Sequence, residues 1–120
     1  ALHCKEPELE IRIARQSIQL PLCKVLYAIA RNHYVLITTE EGEYRAMCSF
    51  AQIEEKLTAL ENFMSCNRGV IINMDKVLRF GEDCIEILDG TCLPVRQKDK
   101  CTLLARFTQY QFRHMRQELH

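Results

Sequence analysis

At 120 residues the chain has room for one domain and hardly for two. Its 16 Lys and Arg cancel its 16 Asp and Glu, 48% of its residues are hydrophobic, and it holds only 4 Gly and 3 Pro. That excludes a disordered tail, a collagen-like repeat and a low-complexity linker, and no apolar stretch approaches the roughly 20 residues of a membrane-spanning helix.

Period two dominates the first half. In Leu9-Glu10-Ile11-Arg12-Ile13 apolar residues alternate with charges, as a half-buried strand requires. Gln16-Ser17 reads as a turn, after which Ile18 and Leu20 resume the alternation. Leu22 to Ala30 forms the next apolar run. A polar break at Arg31-Asn32-His33 separates it from Tyr34 to Thr39, rich in the aromatic and β-branched residues that suit a pleated surface. Glu40-Glu41-Gly42 reads as a hairpin turn into a strand over Glu43 to Cys48.

One short helix interrupts the strands. Ser49 is placed to cap it, with Gln52 completing a capping box, and Phe50, Ile53, Leu57 and Leu60 share one face. Strand character returns in Phe63 to Cys66, Gly69 to Asn73, Val77 to Phe80 and Cys84 to Leu88. Asp89-Gly90 is a short-hairpin signal leading into Thr91 to Val95. Pro94 cannot donate to a ladder and so predicts an edge strand. From Asp99 to His120 the pattern is helical, with Leu103, Leu104, Phe107 and Tyr110 on one side and Arg106, Gln109, Arg113 and Arg116 on another. Phe112, Met115 and Leu119 widen the apolar arc, which predicts a helix wedged in a groove rather than one whose end meets another subunit. The expected fold is mainly β: small antiparallel sheets with one short central helix and a C-terminal helix.

Seven cysteines, at 4, 23, 48, 66, 84, 92 and 101, form no closely spaced pair of the zinc-site kind. They read as reduced thiols packed in a cytoplasmic protein, with His3, Cys4 and His120 the remaining candidates for a metal. No cationic segment precedes an apolar run, so no signal peptide is expected, and the opening Ala1 suggests a piece of a longer chain.

Enzyme signatures are absent: no GxSxG, P-loop, GxGxxG or HExxH occurs, and no two carboxylates stand in an apolar setting. No enzyme and no cofactor is expected. Charge, by contrast, is uneven. Thr38 to Asn62 carries six Glu against Arg45 and Lys56, whereas Thr91 to His120 is basic. Three breaks between apolar runs, Arg31-Asn32-His33, Asn67-Arg68 and Arg96-Gln97-Lys98, hold cations and amides and no acid. Such side chains suit guanine and adenine edges while neighbouring donors hold phosphates. A solvated turn is the plainer reading of each break by itself. Three of one character point to a nucleic-acid surface, with a β-rich protein- or ligand-interaction module as the alternative.

Four segments then resemble the LytTR family of DNA-binding domains, found at the C-terminus of many bacterial response regulators. Phe63 to Val77 is similar to the family signature of an aromatic, HRS, then VN and K-I. Val25 to Val35 resembles its I-x-YIEA run, Ser49-Phe50 with Glu54 to Leu57 its helix, and Leu88 to Val95 its closing DG…LPVS hairpin. The resemblance runs from about Leu9 to Lys100 and implies one domain over residues 1–120, with a core of about 9–100 and a helical extension of about 100–119. It implies loops that enter successive major grooves of double-stranded DNA and read promoter direct repeats as a dimer, behind an upstream receiver or sensor domain. Carried over by position, Asn32 and His33 form the first reading loop, Asn67 and Arg68 the second, and Arg96, Gln97 and Lys98 the third. Lys100, with Arg106, Arg113 and Arg116, is expected on phosphates. The sequence departs from the family in having Asn67 for His, Gly69 for Ser, Ile29 for Glu and Arg96 for Ser. Cys66 and Cys92 flank the second and third loops, which makes them candidates for a switchable disulfide, although two separate thiols are the preferred reading.

Overall fold

Strand β1 (Glu8–Ile13) buries Leu9 and Ile11 and turns Glu8, Glu10 and Arg12 to solvent, as its alternation demands. The computed structural model describes residues 8–13 and 15–118, with side chains as far as residue 113. β1 pairs antiparallel with β2 (Gln16–Pro21), Leu9 opposite Leu20 and Ile11 opposite Ile18. That register sets Gln16 opposite Ile13, so both Gln16 and Ser17 belong to the strand, and the turn comes before them, at Arg15. Matching the apolar faces decides the register, and with it the turn.

The apolar run from Leu22 does not make one strand. Leu22–Lys24 is a single 3₁₀ turn that buries Leu22, and β3 (Val25–Ala30) follows. β3 is the middle of a five-stranded antiparallel sheet with β4 (Val35–Thr39), β5 (Gly42–Ala46), β6 (Phe63–Asn67) and β7 (Val70–Asn73), in the order β5-β4-β3-β7-β6. Both faces of this sheet are covered. Val25, Ala28, Ile37, Phe63 and Ile71 enter one core with β1, β2 and the helix α1 (Phe50–Thr58). Leu26, Tyr27, Met64, Cys66 and Ile72 enter a second core on the opposite side. Burial on two faces is why β3 and β7 read as continuous apolar runs rather than alternating ones.

α1 begins as its capping box dictates: Ser49 Oγ accepts from Gln52 N–H and Gln52 Oε1 accepts from Ser49 N–H, each at 3.3 Å. Ile53 and Leu57 are buried, with Phe50 and Leu60 packed beside them. The second core is closed by a three-stranded sheet of β8 (Val77–Phe80), β9 (Cys84–Ile87) and β10 (Cys92–Pro94), in the order β10-β9-β8. Pro94 thus ends an edge strand. Gly90, at φ 95°, takes the left-handed position of the preceding turn.

Helix α2 (Gln97–Glu118) starts two residues before the expected Asp99. It buries Leu103, Phe107 and Tyr110 in the second core, and the Phe107 ring stacks on Phe80 with centroids 4.9 Å apart. Leu104 stays 40% exposed and Phe112 62% exposed. α2 therefore lies on the surface along one stripe and is not wedged in a groove; Met115 lies beyond the described side chains and Leu119 outside the described residues.

Candidate nucleic-acid interface

Sheet topology decides which connections meet. β3 runs into the loop 31–34, and its antiparallel neighbour β7 starts at Val70, opposite Ile29. The β3–β4 and β6–β7 connections therefore emerge at the same end of the five-stranded sheet. Ala30 N–H donates to Gly69 O at 2.8 Å, joining them. Gly69 sits at φ 74°, and a Cβ there would lie 3.1 Å from that of Ala30. Both the left-handed backbone and the close approach call for glycine where the family pattern has Ser.

The third segment reaches the same end through β10. Asn67 Nδ2 donates to Pro94 O at 3.1 Å, while Asn67 Oδ1 accepts from Arg68 N–H at 2.8 Å. Two residues past Pro94, Arg96 faces Arg68 across an open groove of about 450 Å³ that Asn67, Asp99 and Thr102 also line. Asn32, His33, Arg68, Arg96 and Lys98 are exposed, and Asn67 is half-buried. The three breaks are thus brought to one end of the molecule.

Several expected members stand differently. Gln97 and Lys98 occupy the first turn of α2, not a loop. Gln97 Nε2 donates to Asp83 Oδ1 at 2.6 Å, so that side chain faces the β8–β9 turn. Lys98 precedes Thr102 by one turn and shares its groove-side flank. Lys100 lies about 100° or more around the helix from that flank, on the side of Phe107, and is half-buried. Arg113 pairs with Glu61 at 3.1 Å, and Glu61 sits just before β6, at the end of the sheet opposite Arg68. Arg106 and Arg113 line a hollow there with Met74 and Tyr110. The basic arc of α2 therefore runs away from the loop end, because the helix axis follows the sheet to its far end. The Arg116 side chain lies outside the described ones.

Nor is the loop end free of acid. The β8–β9 turn brings Glu82 and Asp83 beside Gln97, where Asp83 O also accepts from Val95 N–H at 3.0 Å. Asp99 enters the groove between the arginines. These acids lie outside the three segments themselves, although Asp99 follows Arg96 by one turn of chain, a spacing that puts two side chains on neighbouring positions.

The thiols separate. Cys66 is 2% exposed in the second core, where burial pushes it up to about 12. Cys92 is exposed on β10, and its thiol neighbour is Cys84 on β9: the hydrogen bond between these two side chains is the first cause raising Cys84. Cys66, the candidate partner of Cys92 in a disulfide, lies inside the core, in line with the preferred reading of two separate thiols. Among the described residues no group of three His, Cys, Asp or Glu side chains is placed to hold a metal. The set His3, Cys4 and His120 lies outside the described residues.

A family model described as the LytTr DNA-binding domain matches residues 15–100. Among solved structures the chain is similar to the LytTr DNA-binding domain of a protein described as a methyl-accepting/DNA response regulator from Bacillus cereus. The two are 21% identical with a TM-score of 0.69, the match covering 82% of this chain and 94% of that chain. At that identity the likeness speaks for the fold, a stack of small antiparallel sheets with two helices. No curated protein matches the chain.

Proposed function

This chain belongs to the LytTR family of DNA-binding domains, which is not a family of enzymes, and we propose that it is the sequence-reading output domain of a bacterial transcriptional regulator. In this reading Arg68 and Arg96 contact purine edges, Asn32 and His33 enter a neighbouring major groove, and Lys98 holds a phosphate. Promoter direct repeats bound by a dimer, a receiver or sensor domain upstream, and a cytoplasmic setting complete the proposal. No helix of the described residues is long and apolar enough to cross a membrane.

The observation that carries it is the pair of bonds joining the three segments, Ala30 N–H to Gly69 O and Asn67 Nδ2 to Pro94 O. They bring long donors from three separate connections to one end. Gln97 and Lys100 are left out, the first because it is spent on Asp83, the second because it sits on the far flank of α2.

Arg68→Ala decides the matter. Binding to a duplex recovered by DNA selection should weaken by about 1–3 kcal/mol, with preference relaxed at one position. Unchanged binding by a folded variant removes the proposal. A second reading, docking of a protein on α2, is favoured by the exposed Leu104 and Phe112. Titration with duplex DNA at two salt concentrations separates the two, since only DNA reading combines steep salt dependence with a preferred sequence.

A further inference from the structure

Asn is a natural reader of adenine, because its amide offers a donor and an acceptor side by side. In Asn67 one N–H and one lone pair of the amide already hold backbone groups of the protein itself. Nδ2 donates to Pro94 O at 3.1 Å and Oδ1 accepts from Arg68 N–H at 2.8 Å. Turning the amide over would set donor against donor and acceptor against acceptor, so its partners fix its orientation. Ser65 Oγ donates to Asn67 O at 3.3 Å, and the register of β6 against β7 shifts between Ser65 and Asn67, the mark of a bulge that re-aims the chain just there. On the other side of Arg68, Gly69 O is held by Ala30 N–H.

Resting on the reading of this end as the DNA-contacting surface, we propose that Asn67 contacts no base and is the positioning residue for Arg68. Its amide fastens the β6–β7 turn to the last residue of β10, the strand that delivers Arg96. Arg68 carries a long side chain on an exposed turn, and a turn anchored on one side only would let its guanidinium sweep a range of positions. Anchoring at Pro94 O and at Ala30 N–H holds the backbone of residue 68 from both sides. The fork of the guanidinium is then offered to a base in one orientation, which is what a bidentate contact needs.

The test is a double-mutant cycle read as a discrimination ratio, the affinity for the selected duplex over that for a scrambled one. Asn67→Ala in the native background should lower the ratio roughly threefold to tenfold, relaxing the same base position as Arg68→Ala. In the Arg68→Ala background it should change the ratio no further. Asn67→Asp keeps an oxygen for Arg68 N–H but sets a second one against the Pro94 carbonyl, and it should behave as Asn67→Ala does. Any general repulsion of phosphate by its carboxylate appears in both backgrounds and cancels in the cycle. Thermal unfolding identifies folded variants, and if Asn67→Ala does not fold, the Asp variant decides.

A loss at a base position of its own, or losses that add to those of Arg68→Ala, would make Asn67 a reader and overturn the inference. So would an undiminished ratio in folded Asn67 variants while Arg68→Ala loses discrimination, with the DNA reading itself left standing. A folded Arg68→Ala that discriminates as the native does brings down that reading and this inference together.

Discussion

Asn73 shows how much one polar side chain fixes. It is fully buried at the end of β7, where Oδ1 accepts from Asn62 Nδ2 and Asp75 N–H at 3.0 Å each, and Nδ2 donates to Val25 O at 2.8 Å. These bonds join the start of β3, the approach to β6 and the 3₁₀ turn Met74–Lys76. Asn73→Leu preserves volume but strands a buried carbonyl and an N–H, which should cost about 2–4 kcal/mol. Urea unfolding monitored by circular dichroism would show it as a lower midpoint. Cys66 gives a pH dependence of known sign. With its thiol raised to about 12 by burial, the native state keeps a proton that the unfolded chain sheds near the usual thiol value of about 8.5. The contribution is complete below that value and falls as pH rises toward 12. Tyr110 is raised as well, first by burial and then by the hydroxyl it donates to Asp75, so it acts in the same direction. Between about pH 9 and 11 native stability should fall more steeply than that of Cys66→Ala, whose own midpoint is lower at neutral pH. Equal slopes would show that the Cys66 thiol is not the group being titrated.

Among the elements, those whose signal is local are legible in the amino-acid sequence itself. Ser49 and Gln52 announced the capping box and the structure forms it. Ser49→Ala should cost about 1 kcal/mol, read as a fall in melting temperature. Pro94 announced an edge strand and stands on one. The elements that differed were settled by something distant. Gln16 and Ser17 looked like a turn, but matching Leu9 to Leu20 across the hairpin placed them in β2. The Leu22 run bends at its start because the chain must pass from a two-stranded hairpin into a five-stranded sheet. α2 was legible as a helix, but its partner was not: Phe107 needs Phe80, a pairing that no spacing along the chain encodes. Hence the basic arc was expected on DNA, whereas the helix axis carries Arg113 to Glu61. The candidate site divides in the same way. Its three segments were visible from composition, but the fate of Gln97 depended on Asp83, fourteen residues before it and in another turn.

At the scale of the whole molecule, a formal charge of zero conceals a division between two ends. At the end away from the loops three cations are matched, Lys24 by Glu41, Lys76 by Glu40 and Arg113 by Glu61, while Arg106 has no ion pair among the described residues. At the loop end, none of Arg31, Arg68, Arg96 and Lys98 forms an ion pair among the described residues. Exposed pairs such as Arg113–Glu61 contribute little to stability, yet they lower the positive field at their own end, whereas at the loop end Asp83 and Asp99 offset the four cations only in part. On the proposed reading a polyanion is steered to the loop end, and the ions it releases on binding should be counted there. Each phosphate contact contributes about −0.9 to the slope of log affinity against log salt. Lys98→Ala should make that slope shallower by about one such step, whereas Arg113→Ala, which removes a cation already matched by Glu61 at the opposite end, should leave it as it was. If Arg113→Ala flattened the slope and Lys98→Ala did not, DNA would run along α2, and the loop end would lose its claim to be the contact surface.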